Sequence, residues 1–242
     1  MKRGLITWDK TELPPSVFDA RLAKARETLA KQDLPALLVY SDVWRSNEGR
    51  HLTNYMPYWN RSLIVIPLEQ PPVLLCGLSP RVYPWIKSVT VFEEIRSASK
   101  LVPTLLQLCA ERGWTNLGVL DLPRLPHEIS LPLQASDVRT FDVKLDLTDD
   151  AEIAMLRRAE QMAREILAAE LSNGAGLTDY QFAGRLERAF RRAGAEDLML
   201  LFSTGDSAPR PARGTMLGQK YSVAVAVEYR GHWARVTQGL PQ

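Results

Sequence analysis

The rhythm of apolar and polar positions divides the chain into two stretches. In the first, short apolar runs alternate with helical patterns. Within residues 18–32, Leu22, Ala25 and Leu29 recur at helical spacing among Lys, Glu and Asp, which predicts an amphipathic helix. The runs "LPALLVYS", "RSLIVIPL", "PPVLLCG" and "NLGVLD" are almost wholly apolar, as strands covered on both faces are. The second and third flank a turn-like "EQPP" and are expected to pair. "VTVFEEI" and "DVRTFDV" are further strand candidates, and residues 99–112 read as a helix closed by Gly113. Strands separated by helices predict an α/β domain, a mixed sheet flanked by helices, over residues 1–146.

From residue 147 the rhythm changes. "DLTDDAEIAMLRRAEQMAREILAAELSNG" places acids first and then Ile153, Leu156, Ala159, Ala163, Ile166 and Leu167, a long amphipathic helix with negative charge at its positive end. Thr178 is the expected N-cap of a second helix, on which Phe182, Leu186, Ala189 and Phe190 share a face and which Gly194 closes. A strand "LMLLFS", a Gly/Pro-rich loop and two alternating runs meeting at Arg230-Gly231 follow; the last two predict a β-hairpin. This α+β region spans residues 147–242, and no repeat or long linker separates it from the first.

Composition narrows the classes. The chain of 242 residues is 45% hydrophobic and 24% charged, as globular proteins are. Thirty Lys+Arg against 28 Asp+Glu leave a net charge of +2, too even to point to nucleic acid or an anionic membrane. The tract "RLERAFRR" is read as a solvated helix face. Cys76 and Cys109 both lie in apolar surroundings and are expected to be buried free thiols. No window approaches the ~18 apolar residues of a membrane span, and a cytoplasmic location is the expectation.

The order of these pieces resembles the creatinase/prolidase/aminopeptidase P family. The helix "DDAEIAMLRRAEQMAREIL" is similar to that family's entry helix, and "GLTDYQFAGRLERAFRRAGAED" to its second. "FSTGDSAP" resembles the strand and loop that follow, and "NEGRHLTNY" an N-x-x-Y-L-T-G stretch of the N-terminal domain. The resemblance implies a creatinase N-terminal-like α/β domain followed by half of a pita-bread domain.

It also implies a place for metal, and there the pattern fails. Members that hydrolyse substrates with two metals carry Asp-x-Gly…Gly-Tyr-x-x-Asp on a strand pair. With Gly231-His232 as the Gly-Tyr position, the second aspartate falls on Arg235 and the first, eleven residues earlier, on Ala224. Neither side chain is a ligand for a divalent cation, and residues 222–227 contain no carboxylate. No HExxH or CxxC spacing replaces them. The remaining family ligands would lie beyond residue 242. The expectation is therefore a metal-free, cofactor-free, truncated relative. It would act as a subunit, in a homo-oligomer or with a companion pita-bread-like chain that supplies the missing half.

Two alternatives stay open. One is a metal-independent enzyme, a hydrolase or lyase, acting on a small amino-acid-like or amide substrate. Glu228 and His232 would face each other near the hairpin turn for acid–base work, with Arg235 holding an anion. A surface cross-strand pair explains the first two equally, and pairing of Arg235 with an acid the third. The other alternative is a small-ligand binding protein that uses the cleft between the two regions. Arg50, His51, Tyr55, Trp59 and Arg61 crowd one stretch of aromatics and arginines, and Trp233 lies on the hairpin. Such residues fit a substrate pocket or an interface, or simply line a loop.

Overall fold

In the computed structural model, residues 7–205 and 207–240 are described, and they form two compact units, 7–147 and 148–240. The first is built on a six-stranded sheet. Its strands are β1 (Ala36–Ser41), β2 (Ser62–Pro67), β3 (Val73–Cys76), β4 (Glu94–Ser97), β5 (Asn116–Leu120) and β6 (Arg139–Val143), in the order β4-β3-β2-β1-β5-β6. β2 runs antiparallel to both neighbours; the β1–β5, β3–β4 and β5–β6 pairs are parallel, so the sheet is mixed.

The apolar runs are explained by what covers the sheet. Leu38 and Tyr40 of β1 pack with Val102, Leu105 and Leu108 of α4 (Leu101–Arg112) and Ile129 and Leu133 of α5 (His127–Gln134). Leu37 and Val39 pack on the opposite side with Leu22, Ala25 and Leu29 of α1 (Pro15–Lys31), Leu52 of α2 (Asn47–Thr53) and Ile86 of α3 (Tyr83–Val89). Both faces are dry, so period-two alternation has nothing to select. Cys76 and Cys109 are buried free thiols, and burial pushes Cys109 up to about 11.

One expected strand is displaced, and one stretch with no element assigned to it from sequence forms a helix. "VTVFEEI" is not one strand: Val89 ends α3, Phe92 is buried in the core, and β4 starts only at Glu94. Within "NEGRHLTNY", Asn47–Thr53 form helix α2, packed tightly on the sheet. A Cβ on Gly49 would lie 2.8 Å from Ile64 Cδ1, so this helix approaches β2 as closely as only glycine permits.

The second unit packs two helices on one face of a three-stranded antiparallel sheet. The helices are α6 (Asp150–Glu170) and α7 (Asp179–Arg192); the strands are β7 (Asp197–Thr204), β8 (Tyr221–Tyr229) and β9 (His232–Gly239), in the order β7-β8-β9. Asp149 caps α6 by accepting from the Glu152 N–H at 2.8 Å. Thr178 caps α7 in a reciprocal box with Gln181. Met162, Ala163 and Leu167 of α6 and Phe182, Leu186 and Phe190 of α7 meet Val223, Val225 and Val227 of β8 and Ala234 and Val236 of β9. The hairpin turns at Arg230 (φ 52°) and Gly231 (φ 86°), the left-handed pair that a two-residue type I′ turn requires.

Among the described residues no helix is long and apolar enough to cross a membrane.

Candidate functional site

The hairpin register decides which side chains share a face. Tyr229 pairs with His232, Glu228 with Trp233, Ala226 with Arg235 and Ala224 with Thr237. On the other side of β8, Glu228 lies opposite Asp197, Ala226 opposite Met199 and Ala224 opposite Leu201. Paired residues point the same way and successive ones alternate. One face, away from α6 and α7, therefore carries Asp197, Met199, Leu201, Ala224, Ala226, Glu228, Trp233, Arg235 and Thr237. Met199 and Trp233 are 55% and 43% exposed on it.

This register corrects the expected Glu228–His232 pair. The turn places Tyr229, not Glu228, opposite His232, so the carboxylate and the imidazole point to opposite sides of the sheet. His232 turns toward the helices instead: its Nε2 meets the Glu152 carboxylate in the first turn of α6, while Nδ1 is buried with no hydrogen-bond partner among the described residues. Glu152, unremarked in the sequence, is the residue that orients this imidazole. Glu228 is buried, on the same face as Arg235 and diagonal to it. Glu228, His232 and Arg235 thus do not converge on one reacting atom.

The open face was also the expected place for metal. At the two positions expected for aspartates, the Ala224 methyl and the Arg235 guanidinium offer no anionic oxygen or imidazole nitrogen. The carboxylates of the face are Glu228, which is buried, and Asp197, which pairs with Arg191 at 3.6 Å, and the permanent charge of Arg235 opposes a divalent cation. No group of three or more His, Cys, Asp or Glu suited to a metal occurs among the described residues. These side chains do not fit a divalent pair.

The loop entering the face is held by Asp179 at the start of α7. Its carboxylate accepts the Arg213 N–H at 3.0 Å and the Gly214 N–H at 2.7 Å, and it is buried. Burial pushes the carboxyl up, but the surrounding N–H groups of residues 213, 214, 215 and 180 outweigh it and hold it below its ordinary value.

In the first unit the structure splits the aromatic–arginine cluster. Arg50, His51 and Tyr55 are only 6%, 9% and 2% exposed, because α2 lies against the sheet, and they offer no surface to a partner. Arg21 Nη1 donates to the His51 carbonyl at 2.8 Å, and the Tyr55 hydroxyl lies 3.0 Å from Ser62 Oγ, edge-on to Phe92. Trp59 is 62% exposed, and Arg61 pairs with Glu128 of α5.

Trp59 and Arg61 line a cleft of about 1080 Å³ at the carboxyl ends of β1, β3 and β4, with Tyr40, Asp42, Trp44 and Lys100. Ligands of open α/β sheets settle at such strand ends. Burial, joined by a 3.0 Å hydrogen bond to Asp42, raises the Tyr40 phenol and keeps it protonated. The sequence drew attention to Trp59 and Arg61 but not to Tyr40 and Asp42 at the end of β1 or to Lys100 after β4, which are far apart along the chain and meet only through the order of the sheet.

No protein-family model and no curated protein sequence matches the chain. Solved structures do. The X-Pro aminopeptidase from Thermotoga maritima MSB8 superposes with a TM-score of 0.72 at 16% identity, over 90% of this chain and 64% of that one. The Xaa-Pro dipeptidase from Bacillus anthracis gives 0.70 at 17%, over 92% and 64%. Aminopeptidase P from E. coli, solved with the inhibitor Pro-Leu, gives 0.64 at 14%, over 98% and 63%. The chain thus spans less than two thirds of the length of these structures. At such identities the likeness speaks for the fold: an α/β domain followed by pita-bread architecture, as in the Xaa-Pro aminopeptidases and prolidases.

Proposed function

We propose that this chain works as a binding subunit of peptidase-like fold and not as a self-contained two-metal hydrolase. Its open β7–β8–β9 face would be completed by a second copy of the chain or by a companion pita-bread-like subunit. The observation that carries this reading is the make-up of that face. Exposed Met199 and Arg235 lie on either side of Ala226, and exposed Trp233 lies over the buried Glu228, a surface suited to contact rather than to cation coordination. Light scattering after size-exclusion chromatography, with elemental analysis of the same peak, tests it. Expected are a discrete assembly at micromolar concentration that Trp233→Glu dissociates, and less than one divalent ion per chain. A strict monomer, or two stoichiometric cations held by the chain alone, overturns the proposal.

A second reading rests on the cleft of the first unit. Arg61 and Lys100 line this cleft together with Asp42 and with Glu128, the ion-pair partner of Arg61, and Trp44 and Trp59 bring aromatic surface; such a mixed-charge lining suits the carboxylate and ammonium groups of a small amino-acid-like ligand. Pro-Leu, which the E. coli structure contains, is the natural probe. Ligand at about 100 times its dissociation constant adds about 2.7 kcal/mol of stability, so the melting temperature should rise with dose. Arg61→Ala should abolish the rise. An unchanged melting temperature with Pro-Leu and with free amino acids removes this reading.

A further inference from the structure

The outer side of α7 carries a surface that neither reading above uses. Tyr180, Gly184, Arg188 and Arg192 follow one another at intervals of four, so they form a single row along the helix. Together with Leu177 and Arg185 they line a groove of about 540 Å³. Gly184 is its floor: a Cβ there would meet nothing within 4 Å, so the hollow is open to an incoming group. At one end Tyr180 is 61% exposed beside Leu177.

The arginines of this helix are not equivalent. Arg185 is tied to Glu170, and Arg191 to Glu187, at 3.4 Å, and Asp197, at 3.6 Å. Arg188 and Arg192 have no ion pair or side-chain hydrogen bond among the described residues. The row is therefore apolar at its start and carries two uncompensated guanidinium groups at its end.

From this arrangement we infer that the α7 groove docks an acidic, extended peptide segment of a partner protein. Spacing gives the motif. Four helical residues separate Arg188 and Arg192 by about 6 Å, and two extended residues span about 6.6 Å, so acids at i and i+2 meet the two guanidinium groups. Tyr180 lies about 12 Å from Arg188, the reach of roughly four extended residues. The segment thus reads apolar-x-x-x-acid-x-acid, in either direction, with the apolar side chain against Tyr180 over Gly184. Arg–carboxylate pairs supply the polar recognition and the Tyr180 end the burial. Interior helical N–H groups are already bonded, so the groove has no backbone cradle for phosphate. The near-neutral charge of the chain likewise gives no long-range attraction for nucleic acid.

The test is fluorescence anisotropy with labelled Ac-Gly-Leu-Ser-Gly-Ser-Glu-Ser-Glu-NH2. Expected is saturable binding that weakens at least tenfold in three cases: when Gln replaces both Glu of the peptide, when the protein carries Arg188→Glu with Arg192→Glu, and when Gly184→Gln fills the floor. All three protein positions are exposed, and an unchanged circular dichroism spectrum certifies the variants. Absence of saturable binding overturns the inference. So does binding indifferent to the charge reversal, or a labelled oligothymidylate that binds as tightly as the peptide.

Discussion

Replacing Phe182 by alanine is expected to cost the second unit about 3–5 kcal/mol, the largest loss among the substitutions considered. The ring is fully buried and stands edge-on to Tyr221 at 5.8 Å, with Phe202 6.3 Å away. It belongs to α7, and its neighbours lie at the end of β7 and the start of β8. The cavity would open where helix and sheet join, and a backbone already fixed by its hydrogen bonds cannot collapse to fill it. Urea denaturation of the wild type and the variant measures the difference. A change below 1 kcal/mol would mean that this helix–sheet contact is not what holds the unit together.

Asp179→Asn should destabilise by about 2–4 kcal/mol at neutral pH, because hydrogen bonds to a charged acceptor contribute about 1.5–3 kcal/mol each. The amide keeps the shape, but of the two N–H donors of Arg213 and Gly214, which bond different carboxylate oxygens, one would then face an N–H₂ while the other keeps only a neutral acceptor. The pH dependence has a definite sign. The folded carboxyl lies below its ordinary value, so the unfolded chain binds its proton first as pH falls. The stabilisation is whole above the ordinary carboxylate value of about 3.9 and disappears as pH drops through the folded value. The gap between wild type and variant should therefore be constant from neutrality down to about pH 5 and close under stronger acid. A gap that persists at pH 2 would assign the effect to shape rather than charge.

Most elements were legible because they are local. Apolar runs marked β1, β2, β3 and β5, the acid-first amphipathic pattern marked α6, and Thr178 marked the start of α7. What escaped depends on contacts far apart in sequence. Helix α2 is seven residues long, and its Arg50 and His51 are polar yet buried, so periodicity could not tell it from a loop. The short β4 escaped because Val89 and Phe92 supply apolar character outside any strand. At the hairpin Arg230-Gly231 marks the turn, but the expected Glu228–His232 pair is one residue out of step with the register. That single step separates Glu228 from His232 and gives the imidazole to Glu152, 80 residues away. The cleft of the first unit is equally non-local, since it gathers Asp42, Lys100 and Glu128 from separate strand and helix ends.

The strict in–out alternation of β8 and β9 has one more consequence. Val223, Val225, Val227 and Val236 face the helices and bear the burden of folding, while Met199, Ala226, Arg235 and Thr237 look the other way. Each strand is thus two independent inventories interleaved on one backbone. Exchanging the outward set changes what the surface can hold without disturbing the packed layer behind it, so such a scaffold can gain or shed a chemistry while remaining the same fold.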